Sequence, residues 1–180
     1  MSEIMLFAFC LGDGWLSKSK QSRHNSYYYQ VGFSGDRKAL EEHVIPDLTS
    51  VYGDIGKASI RTEEMLSEKY GIVGKTSQFI ANTKVAKRFI ELGMESGKKV
   101  EVEYEIPSWV LKGSLGVKRD FLSGFYSAEG FTPSSQKNNK TLKPLGLRFF
   151  KRVEQRENKD LLVSQWSYLL DELGIKFSYN

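Results

Sequence analysis

Cysteine and histidine are nearly absent from this 180-residue chain, which has one Cys and two His. The single thiol, Cys10, excludes an internal disulfide and suits a reducing compartment. So few soft ligands argue against a zinc or haem centre. Long apolar runs are lacking as well: the longest, Ile4 to Leu11, has eight residues, against the ~20 that span a bilayer. It has the length of a signal-peptide core, but Glu3 stands where a basic residue is expected and Gly12-Asp13-Gly14 is a poor cleavage site. The expectation is an intracellular protein, not secreted and without a membrane span. Neither sign of charge dominates: 26 Lys+Arg meet 22 Asp+Glu for a net +4, which by itself points only weakly to nucleic acid.

What is present suffices for a folded core, because 40% of residues are hydrophobic and 13% aromatic. The length predicts one domain or two small similar ones. The charges are sorted along the chain. Gly14 to Val31 holds Lys18, Lys20 and Arg23 and no acid, and Phe131 to Arg152 holds Lys137, Lys140, Lys143, Arg148, Lys151 and Arg152, again with no acid. Both stretches read as strands, rich in aromatic and β-branched residues and bounded by Gly, Ser, Asn and Pro. Asp36 to Asp54 is acidic and reads as a helix, with Asp36 as N-cap and Leu40, Val44, Leu48 and Val51 at helical spacing. Two arrangements explain this split: a sheet with a basic outer face backed by solvated helices, or an ordinary two-faced sheet with wet lysines.

Further strands are predicted at about 54–62 and 71–81, and a helix from Thr83 to Met94 with Val85, Ala86, Phe89, Ile90 and Gly93 inward. Glu95 to Glu105 reads as a linker. Pro107 opens a short helix through Leu111, and a longer one carrying Leu161, Leu162, Gln165, Trp166, Leu169, Leu170 and Leu173 ends at Gly174. The first half is thus helix-strand-strand-helix-strand-strand-helix. Gly71-Ile72-Val73-Gly74-Lys75-Thr76 imitates a phosphate loop, but Lys69 replaces the required first glycine and no helix signal follows.

The sequence also repeats itself. Leu6-Phe7-Ala8-Phe9-Cys10-Leu11-Gly12-Asp13-Gly14 aligns with Leu122-Ser123-Gly124-Phe125-Tyr126-Ser127-Ala128-Glu129-Gly130. Each is an apolar helical stretch with small residues four apart, ending in an acid and a glycine. Residues at i and i+4 share a helix face, so two such helices can pack with their backbones close. Crossing there would set Asp13 beside Glu129. Such a pair is costly. A helix C-terminus disfavours an anion by ~0.3–1 kcal/mol, and a second carboxylate adds repulsion that raises a pKa. A divalent cation removes both penalties, since paired carboxylates with backbone carbonyls are hard oxygen ligands suited to Mg²⁺.

These two motifs, 116 positions apart, resemble those of the LAGLIDADG homing endonucleases in their single-chain, two-motif, intron-encoded form. The surroundings agree: αββαββ(α) order, basic strands, and Ile106-Pro107-Ser108-Trp109 before the second motif. The resemblance implies an α+β fold of two pseudo-symmetric αββαββα halves with saddle-shaped antiparallel sheets and the motif helices at the internal interface. The expected division is 1–97 as first half, 98–116 as linker and 117–180 as second half. It implies a monomer that hydrolyses both strands of double-stranded DNA at a long target of ~20 base pairs, with salt-sensitive binding. Its setting would be the cytoplasm of a prokaryote or an organelle.

The resemblance further assigns Mg²⁺ (or Mn²⁺) to Asp13 and Glu129, with the carbonyls of Gly12 and Ala128 joining. Lys151, at a strand end, is the expected auxiliary group of the second half, orienting water or stabilising charge at the phosphate, and Lys75 that of the first; Ser34-Gly35-Asp36, the matching first-half turn, has no Lys or Gln. Candidate DNA contacts are Lys18, Lys20, Arg23, Tyr28, Gln30, Lys57, Ser59, Arg61, Lys137, Lys140, Arg148 and Arg152. Val31, Phe33, Ala58 and Ile60 are expected to face the core by strand alternation. Arginine and glutamine suit purine edges, lysine suits phosphates. Only 51 residues follow Glu129, so the second sheet is expected to be abbreviated or truncated. An intein origin is disfavoured by the lack of a splicing-type first residue and of a final His-Asn. Alternatives on the same scaffold are an RNA maturase or a non-cleaving DNA-binding regulator.

Overall fold

The structure, a computed structural model, describes residues 1–21, 26–67, 72–130, 146–147 and 150–178. Helix α1 (Glu3–Asp13) starts at Ser2, whose extended backbone leaves its hydroxyl free to accept the Met5 N–H at 3.3 Å. Strands β1 (Gly14–Gln21) and β2 (Ser26–Gly35) follow. The expected cap at Asp36 is real: its carboxylate accepts the Ala39 N–H at 3.1 Å. It opens a helical run of α2 (Arg37–Ala39), a π-helical turn (Leu40–Val44) and α3 (Ile45–Tyr52). Then come β3 (Ile60–Ser67), β4 (Ile72–Ala81) and α4 (Thr83–Glu91), capped by Asn82. Beyond lie α5 (Ser108–Leu111), α6 (Leu115–Glu129), a 3-10 turn (Val153–Gln155) and α7 (Arg156–Glu172).

The four strands form one antiparallel sheet in the order β1-β2-β4-β3. Phe33 lies opposite Gly14 on one side and Phe79 on the other, and Phe79 lies opposite Ile60. That register sorts side chains into two faces. Leu16, Val31, Phe33, Phe79 and Ala81 are buried under the helices, with α1, α4 and the π-helical turn all touching β2. Trp15, Gln30, Ser34, Gln78 and Ile80 alternate with them and stay partly accessible on the open face.

Aromatic residues join the helical layer. Phe7 of α1 meets Phe89 of α4 at 5.6 Å, Trp109 of α5 at 5.8 Å and Phe121 of α6 at 6.5 Å between ring centroids. Trp166 of α7 stacks on Phe125 of α6 at 4.6 Å. Burying each such side chain contributes ~1.5–3 kcal/mol, so one contiguous core ties α1 to both ends of the chain.

Several expectations need correction. The strand expected at 54–62 starts only at Ile60. Asp54 accepts the Gly56 N–H on its side chain at 2.8 Å, and its carbonyl accepts from Asn82 Nδ2 at 3.0 Å, which folds 54–56 into a turn. In consequence Ile55 is buried and Ala58 is exposed. Val51, placed on the helical spacing, and Ile90, read as inward, are 38% and 37% exposed, and Gly93, also read as inward, is exposed as well. Of the basic stretch 131–152 read as strand, 131–145 and 148–149 lie outside the described residues, and 146–147 and 150–152 are in no strand, so Lys151 does not stand at a strand end. The imitation phosphate loop enters β4 at Ile72 rather than leading into a helix.

Candidate metal centre at the helix tips

Helices α1 and α6 run side by side in the same direction. Near their starts Ser2 Oγ donates to Asp120 Oδ2 at 3.0 Å; at their ends Gly12 meets Ala128. A methyl group added to Gly12 would land on the Ala128 Cβ, and one added to Gly124 would fall 2.7 Å from the Met5 Cα. The small residues of the repeated motif therefore sit where the two backbones touch. Each helix then stops at its acid, with the Gly14 N–H donating to the Cys10 carbonyl and the Gly130 N–H to the Tyr126 carbonyl. Asp13 and Glu129 are thereby brought to one place, as the repeat predicts.

Electrostatics follow from that placement. Burial raises the Asp13 carboxyl above the usual carboxylate range, opposed by the Lys99 ammonium. Burial also raises Glu129; Lys99 opposes this and the charge of Asp13 adds to it. Lys99 Nζ donates to the Gly12 carbonyl, and burial lowers its own pKa, opposed by the charges of the two acids. Sequence reading passed over Lys99, which lies in the stretch read as linker. It is positioned by Gly97, whose N–H donates to the Leu16 carbonyl at 3.2 Å and whose φ of 130° suits glycine.

A divalent ion fits this donor set: two carboxylates and the carbonyls of Gly12 and Ala128 are hard oxygens, and the tips already attract a cationic ammonium. Among the described residues no group of three or more His, Cys, Asp or Glu could hold a metal. The remaining ligands would have to be water or substrate oxygens.

The auxiliary candidates part company. Lys151 sits beside Tyr104 and within the charge of Glu103: its Nζ donates to the Val102 carbonyl at 2.6 Å and stands 4.1 Å over the Tyr104 ring. Burial pulls its amine down to about 8. Tyr104 in turn is pushed up to about 12 by burial and by the charge of Glu129. Lys75 instead pairs with Glu64 at 3.1 Å, on the strand face shared with Phe79.

The expectation groups Lys18 and Lys20 with Tyr28 and Gln30 as DNA contacts, but the register separates them. Lys18 lies opposite Tyr29 and Lys20 opposite Tyr27, on the face of buried Leu16 and Val31. Lys18 Nζ sits 4.1 Å over the Tyr27 ring. Tyr28 and Gln30 share the open face with Ser19 and Ser17. Arg61 is there too, in one rung with Gln78 and Ser34, neither of which the charge pattern singled out. Lys57 and Ser59 are exposed ahead of β3, and Arg152 pairs with Glu101 at 2.5 Å. Arg23, Lys137, Lys140 and Arg148 lie outside the described residues.

No protein-family model matches the chain. Among curated proteins, it is 31% identical over 175 residues to a tRNA-splicing ligase RtcB from Methanopyrus kandleri, aligning 95% of itself with 17% of that protein. It is 31% identical over 151 residues to a replication factor C small subunit from Methanocaldococcus jannaschii, 79% of itself with 7% of that protein. The chain thus spans less than a fifth of either relative. Among solved structures, I-DmoI in complex with DNA and Mn superposes with a TM-score of 0.58 at 18% identity, covering 98% of this chain and 80% of that one. The homing endonuclease I-WcaI bound to its DNA recognition sequence gives 0.56 at 20% identity, covering 92% and 65%. The fold is the α+β fold of the LAGLIDADG homing endonucleases. No helix among the described residues is long and apolar enough to cross a membrane.

Proposed function

We propose that the chain is a site-specific endonuclease that hydrolyses both strands of double-stranded DNA with a divalent ion, Mg²⁺ or Mn²⁺. One observation carries the reading: Asp13 and Glu129 share one site because Gly12 packs on Ala128. Asp13, Glu129 and the Gly12 and Ala128 carbonyls would hold the metal. When bound, the ion supplies Lewis acidity, making its water a better nucleophile and screening the phosphate. Lys99 holds positive charge at the Gly12 carbonyl, where it can face a scissile phosphate. Lys151, whose amine burial pulls down to about 8, is the second half's auxiliary group and would orient water or stabilise charge at its phosphate. The open face of the sheet offers Tyr28, Gln30, Ser34, Gln78 and Arg61 to base edges and phosphates. The protein acts as a monomer with two halves about the α1–α6 contact, and its target is long.

The relatives support a mobile unit. Similar segments lie inside proteins with unrelated names, a tRNA-splicing ligase and a replication factor subunit, and occupy 17% and 7% of them. A segment carried by such different hosts serves its own activity, as a homing nuclease does.

A cleavage selection tests the proposal. The chain and Mg²⁺ are incubated with a plasmid library of random inserts, and the cut ends are sequenced. One family of sites, cut on both strands, is expected. Asp13→Asn and Glu129→Gln should abolish cutting yet keep DNA affinity within about tenfold, since metal ligands contribute little to phosphate contacts made elsewhere. Cutting by either variant refutes the ligand assignment. Tight site-specific binding without cutting would favour the regulator.

A further inference from the structure

We infer that the Lys99 ammonium is a resident counter-cation of the acid pair, which keeps divalent metal out until a DNA phosphate arrives. The inference rests on the endonuclease reading and adds an order of events to it. Lys99 donates to the Gly12 carbonyl, an oxygen that a metal held by Asp13 would use, and its charge acts on Asp13 and Glu129 alike. Its seat is built rather than incidental. The Gly97 N–H is anchored on the Leu16 carbonyl at 3.2 Å, and the Val102 N–H closes a turn on the Lys98 carbonyl at 3.0 Å. Lys98 pairs with Glu101 at 3.4 Å, and Lys151 holds the Val102 carbonyl at 2.6 Å. Lys99 is thus delivered to the helix tips by a turn fastened at both ends.

Charge decides the order. Among the described residues the site gathers the two negative charges of Asp13 and Glu129 and the one positive charge of Lys99, which leaves it singly negative before DNA binds. A dication entering it would leave a net positive charge in a partly buried place, pressed against an ammonium. Among the described residues no third acid or imidazole joins the pair to offset that. A phosphate diester brings the missing negative charge and gives the displaced ammonium a new partner. DNA therefore binds first and metal second.

The experiment is Mn²⁺ binding to the full chain, read from the electron paramagnetic resonance of the free aquo ion, first without DNA. Lys99→Met should bind Mn²⁺ about tenfold or more tightly than wild type, because the repelling charge is gone. Lys99→Met with Glu129→Gln should lose that gain, and Lys99→Arg, which keeps the charge, should bind as wild type does. Thermal unfolding without metal establishes that each variant folds; if Lys99→Met does not, Lys99→Gln takes its place with the same expectation. Adding a duplex of the selected cut site should raise wild-type Mn²⁺ affinity towards that of Lys99→Met. A neutral variant that binds Mn²⁺ no better than wild type without DNA overturns the inference, even if the duplex promotes binding. Failure of every form to take up Mn²⁺ with the duplex present overturns the endonuclease reading instead.

Discussion

Moving a single methyl group across the α1–α6 contact tests the architecture of the site. In Gly12→Ala the new Cβ collides with the Ala128 Cβ and lies 3.1 Å from Glu129 Cγ. Overpacking of this kind costs ~1–3 kcal/mol, and the better helix propensity of alanine returns at most ~1 kcal/mol. The net loss of about 1–2 kcal/mol should lower the melting temperature by roughly 2–8 °C in a chain of this length. Cleavage should fall further, because a shift of about 1 Å at reacting groups can cost ~10²-fold. The swap Gly12→Ala with Ala128→Gly moves the methyl to the other helix. Its propensity terms cancel, and the nearest backbone atom, the residue 128 Cα, is then an ordinary 3.6 Å away. The swap should melt within about 2 °C of wild type and recover most of the cleavage. Gly116→Ala is the control in α6, the helix that carries Ala128: its new Cβ meets only Ser114 Oγ at 3.6 Å, so it should stabilise by up to ~1 kcal/mol. Melting curves and single-turnover cleavage of the three proteins check this. A swap no better than Gly12→Ala alone would refute the claim that these two positions set the distance between helices.

Three further outcomes are expected. Arg61→Ala and Gln78→Ala, on the open face, should each relax sequence preference at one position by about 1–3 kcal/mol in a binding-site selection, whereas Lys75→Ala, on the other face, should leave the preference unchanged. The Arg88 guanidinium, which donates to both Glu3 oxygens at 2.8 and 3.0 Å, holds that carboxyl below its usual 4.5. Its contribution is present above the unfolded value and is lost as pH falls through the lower folded one, so Glu3→Gln should flatten the acid limb of a melting-temperature profile. Lys151 runs the opposite way: with a folded pKa of about 8 against 10.5 unfolded, its charged form is penalised in the fold. Wild type should therefore gain stability from pH 8 upward relative to Lys151→Met, and a constant difference between the two profiles would contradict the buried placement.

How legible these features are in the sequence depends on whether a residue's position is fixed by its neighbours or by distant chain. The Asp36 cap, the order of the first seven elements and the α1–α6 contact all rest on local spacing, and local spacing carries them into the fold. Lys18 and Lys20 show a signal that was available but unused. They follow Leu16 at i+2 and i+4, so strand alternation alone puts them on the face of that buried leucine. Counting charge along the strand without its period merges two faces that the pleat keeps apart. The start of β3 was harder to read, because the turn that delays it is closed by Asn82, 28 residues beyond Asp54.

Lys99 marks the limit of such reading. The acids announce themselves because the chain states their motif twice, and a repeat is visible without knowing where either copy goes. The lysine that meets them is stated once, in a polar stretch of ordinary composition, and reaches Gly12 across 87 positions only because Gly97 fastens its turn to β1. A symmetric pair of ligands can thus be inferred from pattern, whereas the Lys99 ammonium that meets them comes from tertiary placement. That placement has a chemical consequence, because the ammonium donates to the Gly12 carbonyl and so belongs to the tip of the first motif helix. If Lys99 is displaced towards a phosphate on one strand, the two strands are not cut under identical electrostatics. Lys99→Met should therefore change the ratio of the two nicking rates as well as their sum, which a strand-labelled duplex of the selected site would resolve; an unchanged ratio would mean that the ammonium serves both strands alike.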